Sequence, residues 1–204
     1  MHTAHSTPAG TPMVKGPPAT DPGLLPDAAL DALLELARAT VTASVRGRRL
    51  PDLPASPELA EPRGVFVSLH RQGALRGCLG HLEADLPVGE AVRRMAVASS
   101  RDDPRFAPVA PDELADVEVE VSVLTPSRRV RPDDVVPGRD GLIVRRGERS
   151  GVLLPQVAPE QGWDREAFLR GVCRKALLPA EAWRDPDTEL YAFGAQVVPG
   201  RAGR

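Results

Sequence analysis

The run Val117-Glu118-Val119-Glu120-Val121-Ser122-Val123 places a valine at every second position and a polar side chain between each pair. That period fits a strand with one face on a core and the other toward water. Such a strand needs neighbours of the same kind and an apolar layer over its valines. Residues 64–71 and 74–80 alternate likewise around Gln72-Gly73, residues 142–146 and 150–154 form a second hairpin around Gly147, and a last strand spans 189–198. Asp27 can cap a helix carrying Leu30, Leu33, Leu34, Ala37 and Val41 on one face. A second helix, from about Pro87 to Ser100, buries Val88, Ala91, Val92, Met95 and Ser99. Asp164 can cap a third, burying Phe168, Leu169, Val172, Cys173 and Ala176. Hairpins mixed with helices, without regular βαβ alternation, predict an α+β fold: a mixed, largely antiparallel sheet with helices packed on it.

The organisation follows from where the chain cannot form a core. Residues 1–26 hold six prolines among Thr, Gly and Ala, so a disordered tail is expected there, and His2 and His5 within it are given no role. The folded unit is expected over 27–198, followed by a short tail at 199–204. Acidic residues outnumber basic ones by 28 to 26, which argues against a general phosphate-backbone binder. Lysine occurs only at Lys15 and Lys175 and the remaining Lys/Arg residues are all Arg, a compositional bias, so an Arg is not a sign of recognition merely by being Arg. Two distant cysteines form no zinc or disulfide pattern. No apolar run is long enough to span a bilayer and no leader pattern is present, so a cytoplasmic protein without membrane contact is expected.

Leu75-Arg76-Gly77-Cys78-Leu79-Gly80-His81 is the most unusual segment, because two glycines beside a cysteine weaken a strand and mark a bulge or a close approach. A three-residue loop, Arg71-Gln72-Gly73, would pair Leu69 with Leu75, Val67 with Gly77 and Val65 with Leu79, giving one wholly apolar face. Cys78 would then face Phe66, with His70 roughly 13 Å along the strand, beyond the reach of a Cys–His dyad. Three readings of Cys78 stay open. It can be a small packing residue, a nucleophile or redox thiol stabilised by Arg76 with Glu120 or Asp103 as the base, or a metal ligand with His81. A lone Cys-x-x-His supports the last weakly, and no metal is expected. Cys173 belongs to a helix core. The acidic, rigid and aromatic stretch Asp102-Asp103-Pro104-Arg105-Phe106 fits either a site-lining loop or an ordinary Pro turn. No Walker A, dinucleotide fingerprint, nucleophile elbow or HExxH occurs, so no cofactor is expected.

Taken together these segments resemble the AMMECR-one domain family. Leu75-Arg76-Gly77-Cys78-Leu79-Gly80 looks like its hallmark, and the similarity continues through Asp103-Pro104-Arg105-Phe106, Glu120-Val121-Ser122-Val123-Leu124, Gly138 with Asp140-Gly141, and Leu154-Pro155-Gln156-Val157. It ends with Gly162-Trp163-Asp164, Phe168-Leu169, Cys173-x-Lys175-Ala176 and Trp183. His81 and the Leu-Pro-Gln-Val wording look like the family's bacterial branch. Leu177 stands where the family usually has Gly, implying a modest change at that helix end. The resemblance implies two unequal lobes with a cleft near the Arg-Gly-Cys motif. It also implies membership of a three-protein set with Memo-like and radical-SAM partners, without a securely established activity.

Two functional readings follow. In the first the chain is an accessory or binding component for a peptide, nucleotide or modified group, with Arg76, Gly77, Gly80, His81 and Arg105 holding the ligand and Cys78 and Asp103 beside it. In the second it is an enzyme using Cys78 as nucleophile or redox thiol, with Glu120 or Asp103 as acid/base.

Overall fold

A computed structural model describes residues 23–200, so the tails expected over 1–22, with His2 and His5, and over 201–204 lie outside the described residues. Helix α1 (Asp27–Val45) opens the fold, followed by the short α2 (Pro57–Ala60). Strands β1 (Val65–Arg71) and β2 (Ala74–His81) form a hairpin, and α3 (Val88–Arg101) and β3 (Val117–Leu124) complete the first part. Strands β4 (Arg128–Arg129), β5 (Gly141–Arg146) and β6 (Arg149–Leu153) begin the second, with α4 (Val157–Glu160) and α5 (Arg165–Lys175) after them. The chain ends in β7 (Glu189–Phe193) and β8 (Ala195–Val198).

These strands make two antiparallel four-stranded sheets, ordered β2-β1-β3-β8 and β4-β7-β5-β6. Each has its own apolar core. In the larger lobe Val65, Val67, Leu69, Val121 and Val123 pack beneath α1 and α3, against Leu33, Ala37, Val41, Val88 and Val92. In the smaller, Leu142, Val144, Leu190 and Ala192 pack against Phe168, Leu169, Val172 and Cys173 of α5. The α+β class and the alternation of β3 agree with the sequence reading, but the strands divide into two sheets. The division falls inside the segment expected as one last strand. At Gly194 the chain leaves the smaller sheet and enters the larger, and it is bound there to the other crossing segment. Gly194 N–H donates to Thr125 Oγ1 at 2.7 Å and Thr125 N–H donates to the Gly194 carbonyl at 3.0 Å. Among the described residues no helix is long and apolar enough to cross a membrane.

Three boundaries are corrected. The fold begins ahead of Asp27: Leu25 is buried, its N–H donates to Gln196 Oε1 at 2.8 Å, and its carbonyl accepts from Gln196 Nε2 at 3.0 Å. Pro26, not Asp27, holds the N-cap position of α1, and Asp27 lies in the first turn, where a carboxylate meets the positive end of the helix dipole. The β1–β2 connection is also tighter than expected. Gln72 and Gly73 have φ +52° and +77°, the conformation of a two-residue hairpin turn, and Arg71 pairs with Ala74. A bulge then leaves Arg76 unpaired, so that Leu69 faces Gly77, Val67 faces Leu79 and Val65 faces His81. With strict period-two pairing a two-residue turn would put Arg76 among Val65, Val67 and Leu69. The bulge removes that conflict by taking Arg76 out of the ladder.

The end of α5 explains the departure at Leu177. Leu178 N–H donates to the Cys173 carbonyl at 2.9 Å and Leu177 N–H to the Arg174 carbonyl at 3.0 Å, the two bonds of a Schellman motif. That motif needs a left-handed residue after the C-cap; Leu177 has φ +57° and is 81% exposed. A side chain in this conformation costs about 1 kcal/mol that glycine avoids. Leu177→Gly is therefore expected to raise stability by about 1 kcal/mol, read as a rise of about 3 °C in a thermal melt.

Candidate functional site

β2 is an edge strand, and its outward backbone groups at Cys78 meet side chains of the loop after α3. Asp103 is almost wholly buried. Its Oδ2 accepts the Cys78 N–H at 2.8 Å and its Oδ1 accepts the Arg105 N–H at 3.1 Å, a local turn that Asp favours. Arg105 returns a fork to the same carboxylate, Nε to Oδ1 at 2.9 Å and Nη2 to Oδ2 at 2.8 Å, and also donates to the Cys78 carbonyl at 2.9 Å. Asp-Pro-Arg thus replaces a neighbouring strand, satisfying both Cys78 backbone groups and closing part of an exposed edge. The Arg105 guanidinium, seconded by these N–H donors, holds the Asp103 carboxyl well below the usual carboxylate range. Arg105 is raised in turn, by Asp103 first and by the Cys78 side chain last.

Arg76 makes a second clamp. Its Nε and Nη2 meet Glu113 Oε1 and Oε2 at 3.0 and 2.8 Å, and Nη1 and Nη2 donate to the carbonyls of Ala107 and Pro108 at 2.8 and 3.3 Å. Glu113 also receives Arg71 Nη1 at 2.9 Å and the Ala110 N–H at 2.8 Å. The Arg76 bond, with the Ala110 N–H next, lowers the Glu113 carboxyl to about 2. The bulge that frees Arg76 from the ladder is what lets it reach this loop.

Both glycines have steric causes. A Cβ on Gly77 would lie 2.3 Å from the Ser99 carbonyl oxygen of α3. The Ser99 hydroxyl enters the ladder nearby, donating to the Val67 carbonyl at 2.7 Å and accepting the Leu79 N–H at 2.9 Å. A Cβ on Gly80 would lie 2.2 Å from Phe66 Cδ1, because the ring covers its cross-strand glycine.

The roles expected of these residues change accordingly. Asp103 is not a free base, since its oxygens are filled by Arg105 and two backbone donors. Arg76 is not the cation beside the thiol; Arg105 holds that place. Gly77 and Gly80 admit protein, respectively the helix and Phe66, rather than a ligand. Cys78 faces Ser68 instead of Phe66, with Ser68 Oγ 3.2 Å from its sulfur. His70 is therefore two residues along from Cys78's partner, about 7 Å, still too far for a dyad. Ser68 also pairs with Glu120, so Cys78, Ser68 and Glu120 form one row on the polar face of the sheet. His81 shares the opposite face with Val65, so it does not join Cys78 as a ligand; its Nε2 lies 2.5 Å from Asp85 Oδ1. Among the described residues no group of three or more His, Cys, Asp and Glu is arranged to hold a metal ion. Cys173 is buried in the smaller core, and burial pushes its thiol up.

The cleft between the lobes lies beyond the far end of β2, and Arg76, Gly77 and Cys78 do not line it. It encloses about 460 Å³ between Arg63, Gly64 and Leu82–Asp85 on one side and Ile143, Arg145 and Phe193 on the other. Sequence reasoning missed Glu113, the role of Ser68 as partner of the Cys78 sulfur, and the place of the cleft, expected near the Arg-Gly-Cys motif. Ser68 was visible as a polar position of an alternating strand; Glu113 and the cleft join segments whose meeting no local pattern encodes.

Residues 34–198 match the AMMECR1 family. A protein of Thermococcus gammatolerans is 47% identical over 178 residues, covering 81% of this chain and 87% of its own length. One from Methanothermobacter thermautotrophicus is 46% identical over 176 residues, covering 81% and 91%. The crystal structure of the uncharacterized protein PH0010 from Pyrococcus horikoshii superposes with a TM-score of 0.71 at 44% identity, over 81% of this chain and 88% of that one. These relatives are archaeal, so the bacterial branch expected from His81 and Leu-Pro-Gln-Val is not supported.

The two clamps make acid sensitivity a property of this site. Glu113 is lowered from 4.5 to about 2 in the fold, so its contribution is complete above 4.5 and is lost as pH falls toward 2; Asp103 acts in the same direction. Glu113→Gln is expected to cost about 2 kcal/mol at neutral pH and to flatten the acid limb of stability, measured by urea unfolding at a series of pH values. Gly77→Ala, which must displace the Ser99 carbonyl, is expected to cost about 3 kcal/mol in the same assay.

Proposed function

The chain belongs to the AMMECR1 family, and on that premise we propose that it is a cytoplasmic accessory protein that binds rather than transforms its ligand. The ligand is a peptide, nucleotide or modified group presented to Memo-like and radical-SAM partners. One observation carries this reading: the charged groups beside Cys78 are consumed in internal pairs, Asp103 with Arg105 and Arg76 with Glu113. A covalent mechanism needs a base within hydrogen-bond reach of its nucleophile. Here the side chain hydrogen-bonded to the Cys78 sulfur is the Ser68 hydroxyl. The motif works instead as a fastening that holds the edge strand to the loop after α3.

A second reading has its own support. Glu120 shares the sheet face with Cys78 through Ser68, and Arg105 contacts the thiol's residue, so the alternative chemistry for this row is a nucleophile or redox thiol with Glu120 as a relayed base.

One substitution separates the two. Co-purification of the chain with the Memo-like protein of the same genome is expected to be unchanged by Cys78→Ser, and cells carrying that variant are expected to match wild type in growth. Retained complex with lost cellular function would transfer the role to Cys78 chemistry. Failure of the wild-type chain to form the complex would overturn the accessory reading.

A further inference from the structure

The inter-lobe cleft has a polarity that the fold does not use. Its floor on the smaller lobe is Ile143 and Phe193, and Leu82, 37% exposed, stands on the other wall. Arg145 projects from the same sheet face as Ile143, two residues along β5. The carboxylate directly across the ladder from it, Glu189, is already occupied: it accepts from the Tyr191 hydroxyl at 3.1 Å and pairs with Arg129 at 3.5 Å. Among the described residues Arg145 has no ion pair, and its guanidinium lies over the Tyr191 ring, 5.5 Å from the centroid. The other cation of the cleft, Arg63, is spent on Glu61 and the Gly23 carbonyl. On the opposite wall Asp85 is bound to His81, with Glu83 4.0 Å from the same ring.

We infer that this cleft is a site for a small ligand that joins an anionic head, carboxylate or phosphate, to an apolar or planar body, with Arg145 as the anion's partner. The inference rests on reading the chain as a binding protein and names its ligand class. A guanidinium whose neighbouring carboxylate is already engaged elsewhere pairs strongly with an incoming carboxylate or phosphate, and an aromatic ring beneath it fixes its plane. Phe193, Ile143 and Leu82 supply the apolar contact for the body. The cleft volume is in the range of small-molecule sites. Glu83 and Asp85 set the direction, since their wall repels the anion and favours a donor group at the ligand's other end.

Ile143 is the chain's single isoleucine, so selective methyl labelling gives one resonance, and it reports from the cleft floor. The full chain would be titrated with adenosine 5′-monophosphate and with N-acetylphenylalanine, each paired with its uncharged analogue, adenosine and N-acetylphenylalaninamide. We expect the Ile143 methyl to shift with at least one anionic probe and not with its neutral partner; which one responds tells phosphate from carboxylate. Arg145→Gln is expected to weaken that binding about tenfold or more. Arg131→Gln, paired with Asp134 and outside the cleft lining, should leave it unchanged. The inference is overturned if neither anion moves the methyl at millimolar concentration, if the neutral analogues bind equally well, or if Arg145→Gln binds like wild type. Because the chain is titrated alone, these outcomes are independent of whether the partner complex forms.

Discussion

An edge strand leaves a row of backbone donors and acceptors to be satisfied, and in this fold that row belongs to β2. The Asp103 carboxylate and the Arg105 guanidinium take the Cys78 N–H and carbonyl, while the Ser99 hydroxyl bridges Leu79 to Val67. All three come from one stretch, the end of α3 and the loop beyond it. Gly77 allows the helix to come that close, and the bulge sends Arg76 to Glu113 to hold the loop from its other end. The order of the larger lobe's sheet edge and the path of the chain into β3 both depend on this contact.

The same economy separates the fastening from the cleft. Along the segment from Arg76 to Gly80, charge and missing side chains are absorbed by protein partners, so the motif is rich in unusual residues and poor in free functional groups. Beyond His81 the strand ends, and its continuation forms one wall of the space between the lobes. There the pairing is incomplete: among the described residues Arg145 has no ion pair, and Leu82 stands exposed on the wall opposite Phe193 and Ile143. Arg76, Asp103 and Arg105, conspicuous in the sequence, are held in internal pairs, and the side chains lining the cleft come from unremarkable stretches.

The two lobes are joined where Thr125 and Gly194 exchange hydrogen bonds, so both chain crossings are fixed to one another. Each lobe keeps its own core. The cleft thus lies between two separately packed lobes linked by hydrogen bonds between Thr125 and Gly194, a common setting for small-molecule sites.

The amino-acid sequence by itself determined the local elements. The valine alternation of β3 placed a half-buried strand, helical spacing placed α1, α3 and α5, and Asp164 was legible as a cap, accepting from the Ala167 N–H. Asp103, Arg105 and Cys78 could also be singled out, because their residue types are costly to place without a partner. What only the tertiary structure decided was who those partners are. The β1–β2 register turned on a bulge, whose extra residue breaks the period on which pattern reasoning rests. The last apolar run split between two sheets at Gly194, although nothing in its own alternation marks the change. Arg76 chose Glu113, 37 residues away, over the neighbouring thiol. Alternation and helical spacing are short-range consequences of backbone geometry, so they are written in adjacent residues. Ion pairs, close approaches and clefts join residues distant in the chain, and their identity is fixed only when packing brings those segments together.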